Sequence, residues 1–134
     1  MGRAGLTSVS IPNSVTSIGD SAFGYCTGLT SVIIGDSVTS ISGEAFRYCT
    51  GLTSIVIPDS VTGIGFGAFF DCTGLTSVTI GDSVTSTGRF AFRYCTGLTD
   101  VYYTGSEAEW GNISIEGDND SLTSANIHFN YKAL

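Results

Sequence analysis

From Gly5 to Thr96 the chain repeats one 23-residue unit four times with no insertion or deletion. The units are GLTSVSIPNSVTSIGDSAFGYCT (5–27), GLTSVIIGDSVTSISGEAFRYCT (28–50), GLTSIVIPDSVTGIGFGAFFDCT (51–73) and GLTSVTIGDSVTSTGRFAFRYCT (74–96). A fifth opens at Gly97 with GLTDVYY and then departs (97–103), leaving 104–134 as a C-terminal cap of one repeat domain spanning 1–134. The second and fourth units agree at 18 of 23 positions, so equivalent residues must occupy equivalent places. A unit this short cannot bury its own apolar face. It closes a core only by stacking on copies of itself.

Each unit carries the same local instructions. Leu-Thr-Ser-Val-x-Ile alternates apolar and polar, as a half-buried strand does. It aims Val9/Ile11, Val32/Ile34, Ile55/Ile57 and Val78/Ile80 inward. Pro or Gly, then Asn or Asp, then Ser is turn chemistry. Val-Thr-x-Ile predicts a second short extended piece, and x-x-Ala-Phe-x-x-Cys predicts about one turn of helix, tight or 3₁₀. Its buried side is Ala22/Phe23, Ala45/Phe46, Ala68/Phe69 and Ala91/Phe92. Coils of this kind stack at about 4.8 Å.

The recurring Leu6, Val9, Ile11, Pro12, Val15, Ile18, Ala22, Phe23 and Cys26, with their counterparts every 23 residues, resemble the BspA-like (Treponema-type) leucine-rich repeat. The resemblance runs from Gly5 to about Tyr103, and the stretch after it is similar to the closing segment of such arrays. Gly35 and Gly81 depart from it where Pro is typical, and Thr87 interrupts the Ile column. The resemblance implies a leucine-rich repeat solenoid. That is a right-handed β-α superhelix with a parallel concave sheet and a C-terminal cap. It further implies a bacterial surface or secreted protein engaged in adhesion and protein contact, with no catalytic residues to carry over.

Charge narrows the partners. Acids outnumber bases 12 to 5, for a net charge of -7. Nucleic acid and anionic membrane both need clustered Lys and Arg, so neither is an expected partner. No stretch approaches the roughly 18 apolar residues of a membrane span. The start, Met-Gly-Arg-Ala-Gly, lacks the apolar run of a signal peptide. An extracellular or cell-surface location for the parent protein is what the resemblance implies.

The reactive-looking columns are expected to be structural. Cys26, Cys49, Cys72 and Cys95 recur once per coil, and a column does not converge on one metal as a zinc site must. Small buried thiols are the favoured reading over disulfides. Asp36, Asp59 and Asp82, headed by Asn13, read as turn residues accepting from a backbone N–H two residues on, with calcium binding the weaker alternative. The Thr7/30/53/76/99 and Thr16/39/62/85 columns follow from the repeat, with ice binding a remote alternative. No cofactor is expected. His128 is the only histidine, so no Ser–His or Cys–His pair is expected to do chemistry, and an enzyme is not expected.

Function is then sought where units differ. The outward positions of the concave strands, Ser8/Ser10, Ser31/Ile33, Ser54/Val56, Ser77/Thr79 and Asp100/Tyr102, form the expected binding face for a protein or glycan. Self-association is the alternative, for a spacer or shortened scaffold. Leu6, Val9 and Ile11 of the first coil would mediate end-to-end stacking, and Phe66, Phe70 and Phe90 a contact on the opposite face. Asn112-Ile113-Ser114 and Asn119-Asp120-Ser121 match the glycosylation triplet.

Overall fold

The computed structural model describes residues 5–132. Each coil contributes one longer and one shorter strand. They are β1 (Ser8–Ile11) and β2 (Ser17–Ile18), β3 (Ser31–Ile34) and β4 (Ser40–Ile41), β5 (Ser54–Ile57) and β6 (Gly63–Ile64), and β7 (Ser77–Ile80) and β8 (Ser86–Thr87). The closing segment adds β9 (Asp100–Tyr103), helix α1 (Glu107–Trp110), β10 (Ser114–Ile115), helix α2 (Asp120–Thr123) and β11 (Asn126–His128). All pairing is parallel, and between β1 and β9 it advances by one unit, as in Ile41 opposite Ile64 and Val78 opposite Val101. The chain is a parallel-strand β-solenoid with little helix, and the units stack as the repeat demands.

The core is a set of columns. Leu29, Leu52 and Leu75 are buried, as are Val38 and Val61 and the Ala and Phe of the second to fourth coils. Phe23, Phe46, Phe69 and Phe92 form one stack with centroid spacings of 5.3, 5.3 and 5.1 Å. The first coil is the exception to the expected inward set. Ala22 is exposed, and Val9, Val15 and Phe23 are only partly buried.

The expected helical turn is not a helix. It is a string of tight turns that includes two left-handed residues per coil, at Ser21, Glu44, Gly67 and Phe90 and at Tyr25, Tyr48, Asp71 and Tyr94. A left-handed residue cannot continue a right-handed helix and costs a non-glycine about 1–2 kcal/mol. Coil-to-coil hydrogen bonds offset that cost. Alternate N–H groups bond locally, as Ala22 to Gly19 O (3.2 Å), and across to the next coil, as Phe23 to Ala45 O (2.7 Å).

The cap joins the stack edge-on. β10 extends the sheet of short strands beside β8, and β11 extends the sheet of long strands beside β9. Between them the buried Asn119 clasps the last full coil. Its Oδ1 accepts from Phe92 N–H (2.9 Å), and its Nδ2 donates to Gly88 O (3.0 Å) and Glu116 O (2.9 Å). The amide of the second glycosylation triplet is thus occupied and enclosed.

One interruption shapes the molecule. The short strands form a single sheet, β10-β8-β6-β4-β2, but the long strands split into β1-β3 and β11-β9-β7-β5. Bonds to the coil before are missing at both ends of β5. Thr30, Thr76 and Thr99 N–H bond to the threonine carbonyl one coil back (2.9, 2.8 and 3.0 Å), and Thr53 N–H has no such bond among the described residues. Gly81 N–H and Thr104 N–H bond to Ile57 O (2.9 Å) and Ile80 O (3.1 Å) in the coil before. Pro58 stands at the equivalent place and has no N–H to give. The glycines have the opposite effect. A Cβ on Gly35 would lie 2.6 Å from Ile11 O, and one on Gly81 would lie 2.6 Å from Asp59 Oδ1. Along the long strands, glycine coils therefore close tightly on the proline coils before them, and the third coil is bonded to the second only through the short strands and the turns.

Candidate interaction surface

The strand alternation that buries Val32 and Ile34 turns Ile33 outward, and likewise Val56 between Ile55 and Ile57. Both are aliphatic in a column otherwise filled by small or polar groups, and they are 63% and 57% exposed. Register places Ser10 beside Ile33, and Val56, Thr79, Tyr102 and His128 side by side. Ser8 pairs with Ser31, and Ser54 with Ser77 and then Asp100, in a polar row next to it. The ten residues expected on the binding face therefore do lie on one face of the long strands.

At the cap end the row becomes aromatic. The Tyr102 ring stacks on His128 (4.7 Å, 14°) and lies 4.9 Å from Tyr131. His128 Nε2 sits 2.9 Å from Asp100 Oδ1. That contact, with a hydrogen bond from Thr99, holds the Asp100 carboxyl below its usual range. The lone histidine is thus a strand residue engaged with a carboxylate and a tyrosine.

Just past the strand ends, the aspartate column lines a groove of about 650 Å³ shared by Asp36, Asp59, Asp82, Val56, Pro58 and Lys132. The expected turn role needs one correction: the side chain does not accept from two residues on. Asn13 Oδ1 accepts from Asp36 N–H (2.9 Å) and Asp59 Oδ1 from Asp82 N–H (3.2 Å), each one full coil away. Asp59 Oδ1 also accepts from the Thr104 hydroxyl (2.9 Å). Among the described residues no three His, Cys, Asp or Glu are grouped to hold a metal ion.

The other columns are used internally. Thr30, Thr76 and Thr99 hydroxyls donate to the threonine carbonyl one coil back, and so do those of Thr39, Thr62 and Thr85. The cysteines are free thiols. Cys49, Cys72 and Cys95 donate to the carbonyls of Phe23, Phe46 and Phe69. Burial, with the neighbouring Cys26, pushes the Cys49 thiol up to about 12, far from a reactive thiolate.

The three phenylalanines of the opposite face are brought together, edge to face. Phe66 and Phe70 lie 5.3 and 6.0 Å from Phe90, and Phe66 stays 51% exposed. Sequence reasoning missed that arginines share this face. Arg47 lies over Phe70 (5.0 Å), Arg89 over Phe90 (4.9 Å) and Arg93 over Tyr94 (4.6 Å). Each is also ion-paired, Arg47 to Glu44 and the other two to Asp118. At the first coil Leu6 and Val9 are half-buried and Ile11 is buried. A shallow apolar depression of about 320 Å³ lies against Val9, Val15, Ile18 and Phe23.

Comparison with known proteins follows the same pattern. A BspA type leucine-rich repeat region matches residues 2–128 in six copies. The chain is similar to a leucine-rich repeat protein of T. pallidum (39% identity, TM-score 0.73, covering 75% of this chain and 47% of that one). It is also similar to a leucine-rich cell surface protein of Faecalibacterium prausnitzii (38% identity, TM-score 0.79, 81% and 29%). A third is a leucine-rich repeat protein of Bacteroides ovatus (28% identity, TM-score 0.78, 94% and 30%). The chain spans less than half the length of each of these three. Among curated proteins none matches.

Proposed function

Because the chain belongs to the BspA type leucine-rich repeat family, we propose that it is a non-catalytic protein-interaction module that binds through the outward face of its long strands. The supporting observation is the exposure of Ile33 and Val56, two aliphatic side chains held out from the long strands on either side of the break. Apolar groups on such a face gain by covering. A protein is a better fit than a glycan, because the Tyr102 ring, a platform for a sugar, is already stacked on His128 and close to Tyr131. The cell-surface description of the F. prausnitzii neighbour supports a surface location. Ile33→Arg with Val56→Arg is expected to weaken partner capture at least about 30-fold, the loss of a hot-spot contact, while thermal unfolding is unchanged. Undiminished capture would exclude this face.

Self-association is a second reading, supported by the apolar depression on the first described coil and by exposed Phe66. Sedimentation velocity over a wide concentration range is expected to show a dimer that Val9→Lys dissolves. A monomer at every concentration would remove this reading.

A further inference from the structure

The groove beside the aspartate column does more than edge the strand face. We propose that it docks a helical segment of a partner protein that carries a row of apolar side chains flanked by a row of Lys or Arg. This rests on the strand-face reading above and names the partner's chemistry.

Three observations converge. First, the groove runs along the stack from the break in the long-strand sheet to the cap. Asp36 lies on one side of the break, and Val56, Pro58, Asp59, Asp82 and Lys132 lie on the other. No Asp59 N–H bond to Asp36 continues the ladder that joins Asn13 to Asp36 and Asp59 to Asp82, so the Asp36 carboxylate is left to the groove. Ser60 Oγ, also in the groove lining, is buried without a hydrogen-bond partner.

Second, three carboxylates there face a single cation. Among the described residues all three arginines are ion-paired on the opposite face, and the fourth ion pair joins Asp100 to His128. Asp36, Asp59 and Asp82 enter none of these pairs. The one cation at the groove is Lys132. Third, exposed Val56 shares the groove with the carboxylates, so an apolar contact and an acidic row run side by side.

Spacing selects a helix. Coils repeat at about 4.8 Å, close to the roughly 5.4 Å between helical turns. An extended strand repeats its same-side residues at about 6.6–6.8 Å, so it leaves register after one coil. A helix laid along the solenoid axis therefore meets successive coils with successive turns.

The test uses a synthetic amphipathic helix of Leu and Lys, with leucines at i, i+3, i+4 and i+7. Two controls accompany it: one with Lys replaced by Glu, and one with Leu replaced by Ser. Binding is followed by amide shifts in NMR spectra at about 150 mM salt, where long-range attraction is screened. The Leu/Lys peptide is expected to shift amides around Asp36, Pro58 and Asp82, and neither control is expected to do so. Asp36→Asn with Asp82→Asn is expected to weaken it roughly three- to tenfold. The fold should persist, because Asn13 already occupies this column. Glu116→Gln with Asp120→Asn removes the same charge from the cap and is expected to change affinity less than about twofold.

Equal weakening by the two pairs, equal binding of the Lys/Ser peptide, or shifts confined to the arginine face would each overturn the proposal. If Ile33→Arg with Val56→Arg abolishes partner capture while the aspartate pair changes nothing, the strand-face reading stands and the cationic helix falls. If the peptide behaves as expected but capture survives those arginines, the strand face is not where that partner binds and the groove remains a peptide site.

Discussion

Phe69→Ala is expected to remove about 3–5 kcal/mol of stability, the usual loss for a fully buried phenylalanine. Phe69 is fully buried, with Phe46 on one side at 5.3 Å and Phe92 on the other at 5.1 Å. The hole would open in the middle of a column, where neither neighbour can collapse without breaking the bonds from Phe69 N–H to Ala91 O and from Phe46 N–H to Ala68 O (2.7 Å each). Each coil is stabilised chiefly by its neighbours, so damage at the centre uncouples two interfaces. Phe23→Ala, at the half-buried end of the same stack, provides the comparison and is expected to cost distinctly less. Urea unfolding followed by circular dichroism reads both. Equal midpoints for the two variants would mean that the phenylalanine column is not the spine of the core.

Asn119→Ala should cost about 1–3 kcal/mol, the range for stranding a buried backbone donor. Phe92 N–H lies in the buried interior, and Asn119 Oδ1 is its partner at 2.9 Å. The two carbonyls that Asn119 also serves belong to more exposed residues and regain water. The buried N–H therefore dominates the loss. Asn119→Asp keeps an acceptor for Phe92 and loses the donors to Gly88 and Glu116, so it should fall between wild type and alanine. Hydrogen exchange at Phe92 gives a local readout. Slow exchange retained in the alanine variant would show that the cap is held by other contacts, such as buried Leu122.

The repeat made the coil stack, the inward columns and the strand face legible because all three follow from period and alternation alone. The left-handed residues were not legible. Ser21, Glu44, Phe90 and Tyr25 share no turn-specific side chain, and their conformation is imposed by bonds to the next coil. The aspartates were recognised as turn residues, but their partners lie 23 residues away, a distance no local motif encodes. Asn119 sits in a polar run of the cap that reads as a solvated loop. Only the fold brings it against Phe92. The alternation of Pro12, Gly35, Pro58 and Gly81 carried part of the signal for the groove, since proline withholds a bond and glycine permits a close approach, but the cap residues Tyr131 and Lys132 that close it are placed only by the fold.

That alternation sets a coarser grammar than the unit itself. A proline coil and the glycine coil after it pair along their long strands, and the long-strand sheet breaks where one pair meets the next. An array lengthened by a whole pair would gain one more break in that sheet, about 9.6 Å further along. Lengthening by a single glycine coil would extend one sheet and add no break. Copy number and the number of sheet segments are therefore separate quantities.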